Sequence, residues 1–456
     1  MKVKSYLRGV GVLLAVVMSI RSTYAILPEN YLNNWDDPAI QQRIDNGIEL
    51  NRKSDVVLTI VDATGAPIPS TKVNVVQTSH EFLFGCNLFV LGQMKEKDAT
   101  YEALFLKLFN FATIAFYWDD LEPEPGALRF VEGSPFIWRR PPPDRAVAFG
   151  KRHGLILKGH PLMWHNRDHN PGWIPEDSDA LRRRYLRRFQ KIAARYANDI
   201  PIWDGVNESL VCKPDFPLYS QANRDYPPYV PWAFTEQQKL FRPGNILMIN
   251  DVTSFNWPSN ETNRYYRQCV KLLEDGIGIE GIGFQFHFFN RQSLDRYIGS
   301  DRCDPAVLLD TYEMFAILDL PLWITEITIG SAGTDGPAVQ ERVVRDIYRL
   351  WFSVPKMAGI TWWNLGDGTA YGNEGVAGGG LTDREFNPKP AYRALDQLIN
   401  DDWMTVFQTK TDRNGQVKFR GFHGHYTVDV NHGDKHRQFE VTVHTGDKTK
   451  AIFTMP

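Results

Sequence analysis

Cysteine is scarce in this 456-residue chain, the charges nearly cancel, and no long apolar run follows the first two dozen residues. The four cysteines, Cys86, Cys212, Cys269 and Cys303, include no Cys-x-x-Cys pair, which argues against a redox motif or a cysteine-built zinc site. Three pairings are open to them, and one surface disulfide beside two buried thiols is expected. A net charge of −3, from 51 basic and 54 acidic residues, argues against a nucleic-acid binder, whose phosphates need a concentrated cationic surface. The longest apolar run, Gly9 to Ile20, spans about 18 Å as a helix, too short for a ~30 Å hydrocarbon core. A membrane-spanning protein is therefore not expected.

What is present begins with a leader. Lys2, Lys4 and Arg8 precede that apolar run, and Thr23-Tyr24-Ala25 follows it as a small-residue cleavage site. Residues 1–25 read as a signal peptide cut near Ala25, so the mature chain is expected to be exported, periplasmic or secreted, and monomeric. Residues 26–80 read as an N-terminal β segment, with alternating runs at Val56–Val61 and Lys72–Val76 forming a hairpin or part of a sandwich. Residues 401–456 read as a C-terminal β segment with turns at Asp412–Gly415 and Asn431–Asp434. The two segments are expected to pack together as one small accessory module.

Between them, residues 81–400 carry a different rhythm. Eight short apolar runs recur, at Phe82–Phe89, Phe109–Phe116, Leu155–Trp164, Ile202–Asn207, Ile246–Ile249, Ile282–His287, Leu322–Ile327 and Ile360–Trp363. Amphipathic stretches lie between them, such as Ser178–Tyr196 with Leu181, Tyr185, Phe189, Ile192 and Tyr196 on one stripe. Eight strands alternating with helices predict an α/β fold, a (β/α)8 TIM barrel carrying the accessory β-rich module.

Polar residues cluster at the ends of these runs: Asn87, His160, His165, Asn207, Glu208, Asn250, Asp251, Gln285, His287, Glu326 and Asn364. A buried parallel strand has no structural use for such groups, and barrels place their chemistry at that rim. Glu208 ends the fourth run and Glu326 the seventh, on roughly opposite sides of the barrel. Two carboxyls converging at about 5–5.5 Å suit double-displacement glycoside hydrolysis, one as nucleophile, the other as acid and then base.

Six motifs in order carry a resemblance: Gly159-His160-Pro161-Leu162-Met163-Trp164-His165, Trp203-Asp204-Gly205-Val206-Asn207-Glu208, Leu247-Met248-Ile249-Asn250-Asp251, Gly281-Ile282-Gly283-Phe284-Gln285-Phe286-His287, Ile324-Thr325-Glu326 and Asn387-Pro388-Lys389-Pro390-Ala391-Tyr392. Together they resemble family-10 glycoside hydrolases, the xylanase family. The resemblance implies Glu208 as acid/base and Glu326 as nucleophile. It implies Asn207 as the amide on the sugar 2-hydroxyl and His287 as the imidazole orienting the nucleophile. His160, Trp164, His165, Gln285, Trp363, Tyr371 and Tyr117 would line the sugar-binding site. The implied substrate is a polysaccharide or oligosaccharide, β-1,4-xylan or a decorated xylan by default, with another β-linked glycan as the alternative. No cofactor and no metal are expected.

One motif departs from the family. Where a Glu-Asn…Lys-Trp pattern would grip sugar hydroxyls, aligning Trp118 with the tryptophan puts Thr113, Ile114 and Tyr117 at the three polar positions. Two other readings compete: a metal site at His160, His165, Asp168 and His169, and a non-catalytic carbohydrate-binding barrel. The basic stretch Arg182-Arg183-Arg184 with Arg187-Arg188 reads as a solvated helix face, or as contact with an acidic polymer.

Overall fold

The computed structural model describes residues 27–252 and 258–456. The expected signal segment, residues 1–25, lies outside the described residues. In chain order the strands are β1 (Lys53–Val61), β2 (Lys72–His80), β3 (Leu83–Asn87), β4 (Phe111–Ala115), β5 (Ile156–His160), β6 (Met163–Trp164), β7 (Ile202–Asn207), β8 (Ile246–Val252), β9 (Gly281–Phe288), β10 (Leu322–Ile329), β11 (Met357–Trp362), β12 (Val406–Lys410), β13 (Gln416–Phe422), β14 (Gly424–His432), β15 (Lys435–Val443) and β16 (Thr449–Thr454).

Strands β3 to β11 form one parallel sheet that closes on itself, because β5 pairs with β7 through Lys158 opposite Ile202 and Gly159 opposite Trp203. This is the expected barrel, and each of its eight staves falls within or across one of the eight apolar runs, with β6 as a short continuation of the third. Every residue of β4, β7 and β10 is buried, as parallel strands covered on both faces require. Alternation sorts their side chains. Ala112, Ile114 and Phe116 turn outward to the helix layer, Phe111 joins Ile202, Met248 and Trp323 in a plug inside the barrel, and Ala115 and Tyr117 turn to its mouth.

The helix Ser178–Tyr196 follows its sequence pattern: Asp177 caps it by accepting from the Ala180 amide at 2.7 Å, and the five-residue stripe is buried. Residues 29–52 differ from the expected β segment. They form two helices, Glu29–Trp35 and Pro38–Arg52, which lie against the barrel. The cause is local and tertiary together. Pro38 opens the second helix, Asp37 caps it, and Ile44 and Ile48 stack one turn apart into the core. Trp35 Nε1 donates to the Cys303 carbonyl at 2.8 Å and Tyr31 Oη to Asp346 at 2.9 Å.

The terminal strands build a two-sheet sandwich, β13-β1-β16 facing β12-β2-β14-β15. Its core alternates along each strand: Val56, Leu58 and Ile60 from β1 meet Val73, Val75, Val428 and Val430 from the other sheet. The hairpin alternative for Val56–Val76 therefore does not hold, since β1 and β2 belong to different sheets. The sandwich meets the barrel where Leu83 and Met357 begin their strands, beside Phe422 and His423. That is the end opposite the mouth.

The expected surface disulfide is absent. All four cysteines are free, and only Cys212 is exposed. Cys86, Cys269 and Cys303 sit in the core on separate elements, and burial pushes the Cys303 thiol up to about 12.

Candidate active site

Strand ends deliver the site. β7 stops at Asn207, and Glu208 follows with φ of +55°, a left-handed conformation that non-glycine residues seldom adopt. The Glu208 amide donates to the Asn250 carbonyl at 2.7 Å, which holds that turn against β8. Its carboxylate accepts from Trp164 Nε1 and from Gln285 Nε2, each at 3.1 Å. Glu326 lies within β10 and accepts from Asn250 Nδ2 at 3.0 Å and from His287 Nε2 at 3.2 Å.

A continuous chain of hydrogen bonds joins the two acids. From Glu208 it passes to Gln285, whose amide also reaches Asn207 Oδ1 at 3.4 Å. Asn250 then donates to that same oxygen at 2.7 Å and to Glu326. Among the described residues Asn207 Nδ2 is left buried without a partner, a donor free for a ligand hydroxyl. The close fit around Asn250 explains Gly283 in β9: a Cβ there would lie 2.6 Å from Asn250 Oδ1.

Electrostatics separate the two carboxyls. Burial, followed by the charge of Glu326, pushes Glu208 up to about 7. Glu326 is raised by burial too, but His160, Lys158 and the Asn250 amide oppose that rise. His160 Nδ1 lies 3.9 Å from Glu326 Oε1 and donates to Asp204 at 2.7 Å, and Lys158 holds the same Asp204 oxygen at 2.8 Å. Burial pushes His287 down to about 4, so its ring is neutral at neutral pH. Nδ1 then accepts from the Thr328 hydroxyl at 2.9 Å, which leaves the Nε2 proton pointed at Glu326.

Aromatic walls complete the mouth. Trp363 packs edge-on against Phe89 and His160, with ring centres 5.2 and 5.3 Å apart, and Asn87 Nδ2 holds its carbonyl. Tyr117 sits beside His160 and Trp164, and the Arg140 guanidinium covers its ring at 4.0 Å. Tyr371 is 65% exposed at the rim after β11, tied through its amide to Glu374, which also takes a hydrogen bond from Asn364.

The structure thus brings together Glu208, Glu326, Asn207, His287, His160, Trp164, Gln285, Trp363 and Tyr117, with Tyr371 at the edge. His165 is a correction. Expected on the sugar-binding wall, it is fully buried on the other side of the chain, where Nε2 donates to the Val211 carbonyl at 2.7 Å among Phe216, Tyr219 and Tyr229. His169 instead stacks on Trp164 at 4.6 Å. Among the described residues no three His, Cys, Asp or Glu side chains are grouped to hold a metal ion. Ile114 faces the helix layer, so it is no lost sugar contact.

Sequence reasoning missed three groups. Asn250 was visible as a polar strand end, but its double donation was not. Asp204 was visible as part of a motif, and its buried partners Lys158 and His160 were not. Arg139, which donates to Asn364 at 2.9 Å from under the mouth, gave no signal at all.

Comparison with known proteins agrees with this geometry. The model of "Glycosyl hydrolase family 10" matches residues 78–398. Among curated relatives, "Endo-1,4-beta-xylanase B" of Thermotoga neapolitana is 26% identical over 62% of this chain and 78% of its own length. "Anti-sigma-I factor RsgI6" of Acetivibrio thermocellus is 23% identical over 83% of this chain, which spans 45% of that protein. The crystal structure of xylanase 10B from Thermotoga petrophila in complex with xylobiose shares the fold, with a TM-score of 0.57 and 24% identity, covering 71% of this chain and 95% of that one. A family match across most of the chain, laid over the barrel that carries both acids, places this protein in glycosyl hydrolase family 10.

Proposed function

We propose that the chain hydrolyses the β-1,4 bonds of xylan, plain or decorated, with retention of configuration. The observation that carries this is the pairing of the buried Glu326 carboxyl with the half-buried Glu208 carboxyl across one hydrogen-bond chain, in environments that treat them differently. Glu208, raised to about 7, keeps a proton for the leaving oxygen and serves as general acid. Glu326, fixed by Asn250 and His287 and opposed to protonation by His160 and Lys158, attacks the anomeric carbon. Once the first product leaves, Glu208 takes a proton from water, and the hydroxide equivalent breaks the glycosyl–Glu326 ester. Asn207 Nδ2 supplies a donor to a sugar hydroxyl next to that bond.

The substrate reading draws on family membership and on relatives whose names specify endo-1,4-β-xylanase. Thr113 and Tyr117 in place of Glu and Lys leave fewer polar contacts for an unsubstituted sugar at that side.

The test is a pair of variants. Glu326→Ala should lose turnover by several orders of magnitude on every substrate. Glu208→Ala should lose it on xylan yet keep the first step on an activated aryl xyloside, with azide restoring the second step. Equal loss on both substrates, with no azide effect, would remove Glu208 from the acid/base role.

A further inference from the structure

The basic stretch on the helix Ser178–Tyr196 is more than a solvated face. Arg184, Arg187, Arg188 and Lys191 recur at three- and four-residue spacing, so they share one side of that helix. That side walls a cavity of about 270 Å³, whose other wall carries Trp118, Trp173 and Glu122. Among the described residues none of these four cations has a carboxylate within 4.0 Å, although charged pairs occur over most of the molecule's surface. Glu122, on the facing wall, has its two oxygens held by Trp118 Nε1 at 2.9 Å and the Gly126 amide at 2.7 Å, so its charge acts on Arg188 from beyond ion-pair distance and offsets one of the four cations.

The cavity is organised rather than merely charged. Arg188 is buried at its inner wall. There Nε and Nη2 hold the Leu162 and Pro161 carbonyls at 3.0 Å, while Nη1 has no partner among the described residues. Arg184 rests over the half-exposed Trp173 ring at 5.6 Å, and Trp173 Nε1 is anchored on the Glu122 carbonyl at 3.2 Å. A clustered set of guanidinium groups favours an oxyanion, most of all a planar carboxylate that two N–H groups can grip at once. An aromatic face beside it favours the C–H face of a sugar ring.

We propose that this cavity is a second glycan site, outside the catalytic groove, which takes a carboxylated sugar such as a uronate unit of an acidic glycan. That the ligand is a glycan rests on the hydrolase reading; that it is anionic rests on the cavity alone. The site shares its inner wall with the catalytic mouth. Arg188 holds the turn between His160 and Trp164, and Trp118 follows Tyr117 in the chain.

Calorimetric titration of the full chain carrying Glu326→Ala, which cannot consume the probe, tests this with four ligands: trigalacturonate, a sulfated carrageenan tetrasaccharide, neutral xylotetraose and a short DNA single strand. Trigalacturonate should bind, and raising NaCl from 50 to 500 mM should weaken it. Adding Arg187→Glu and Lys191→Glu, both at exposed positions, should weaken it at least tenfold while leaving xylotetraose unchanged. Trp173→Ala should weaken trigalacturonate as well. Unaltered trigalacturonate affinity in the charge-reversed chain overturns the site, and so does equal binding of the DNA strand. Tighter binding of the sulfated sugar overturns its assignment to a carboxylate. With Glu326 restored, the charge-reversed chain should cleave an aryl xyloside at the parent rate. Failure of the parent itself to cleave it sinks the hydrolase reading and leaves the binding result standing.

Discussion

Glu208 shows how much one residue's surroundings decide. Desolvation and the facing charge of Glu326 push its carboxyl up to about 7, so the protonated acid is lost as pH rises through that value. The rate on xylan should therefore fall on a basic limb centred near pH 7, and that limb should vanish in Glu208→Ala assayed on an activated aryl xyloside. The same shift has a sign for stability. The folded value lies above that of the unfolded chain, ~4.3, so the folded state holds more protons between the two, and stability falls as pH rises from about 4 to 7. Glu208→Gln should then raise Tm more at pH 8 than at pH 5. Asn250 joins both halves of the site. Asn250→Ala removes a donor from the Glu326 carboxylate, an interaction worth about 1.5–3 kcal/mol, so kcat/KM should fall about ten- to hundredfold with little change in fold. Ile114→Asn, by contrast, would bury an unpaired amide in the helix layer, cost about 1–3 kcal/mol of stability, seen as a lowered Tm, and gain no activity on xylan.

At the scale of elements, legibility follows burial. Strands covered on both faces must be apolar throughout, so a carboxylate or amide at their ends stands out, and the eight staves and the two candidate acids could be read from the order of apolar runs and their polar ends. Alternation explains where that reading slipped. Trp164 and His165 are neighbours, and neighbours in extended chain point to opposite sides, so only Trp164 could reach Glu208. The same rule sends Ile114 outward and Thr113 inward. Partners remote in sequence gave no local signal: Arg139 reaches Asn364 from a loop whose course depends on the whole mouth. The helices at residues 29–52 were masked by the β pattern that follows them, since the stripe of Ile44 and Ile48 has meaning only beside the barrel wall. Cysteine spacing held no information on pairing either, and the burial of three thiols decided it.

At the scale of the molecule, the chain ends in the sandwich, away from the catalytic mouth. The sandwich is assembled from both termini and lies at the barrel's other end, where Trp403 stacks on Phe352 at 4.0 Å and His80 Nε2 lies 2.7 Å from the Ile399 carbonyl. This placement suits a brace rather than a feeder of substrate to the cleft. Leu58, fully buried between the two sheets, tests it: Leu58→Ala should cost about 2–5 kcal/mol of stability, seen as a lowered Tm, while kcat/KM on an aryl xyloside at 25 °C stays near the parent value. In the proposed double displacement two acids act on one anomeric carbon in succession, and the stereochemistry of the first product reports that directly. Proton NMR recorded during the first minutes of hydrolysis of a β-xylo-oligosaccharide should show the β anomer forming first, with the α anomer growing in by mutarotation; an initial α product would contradict the double displacement.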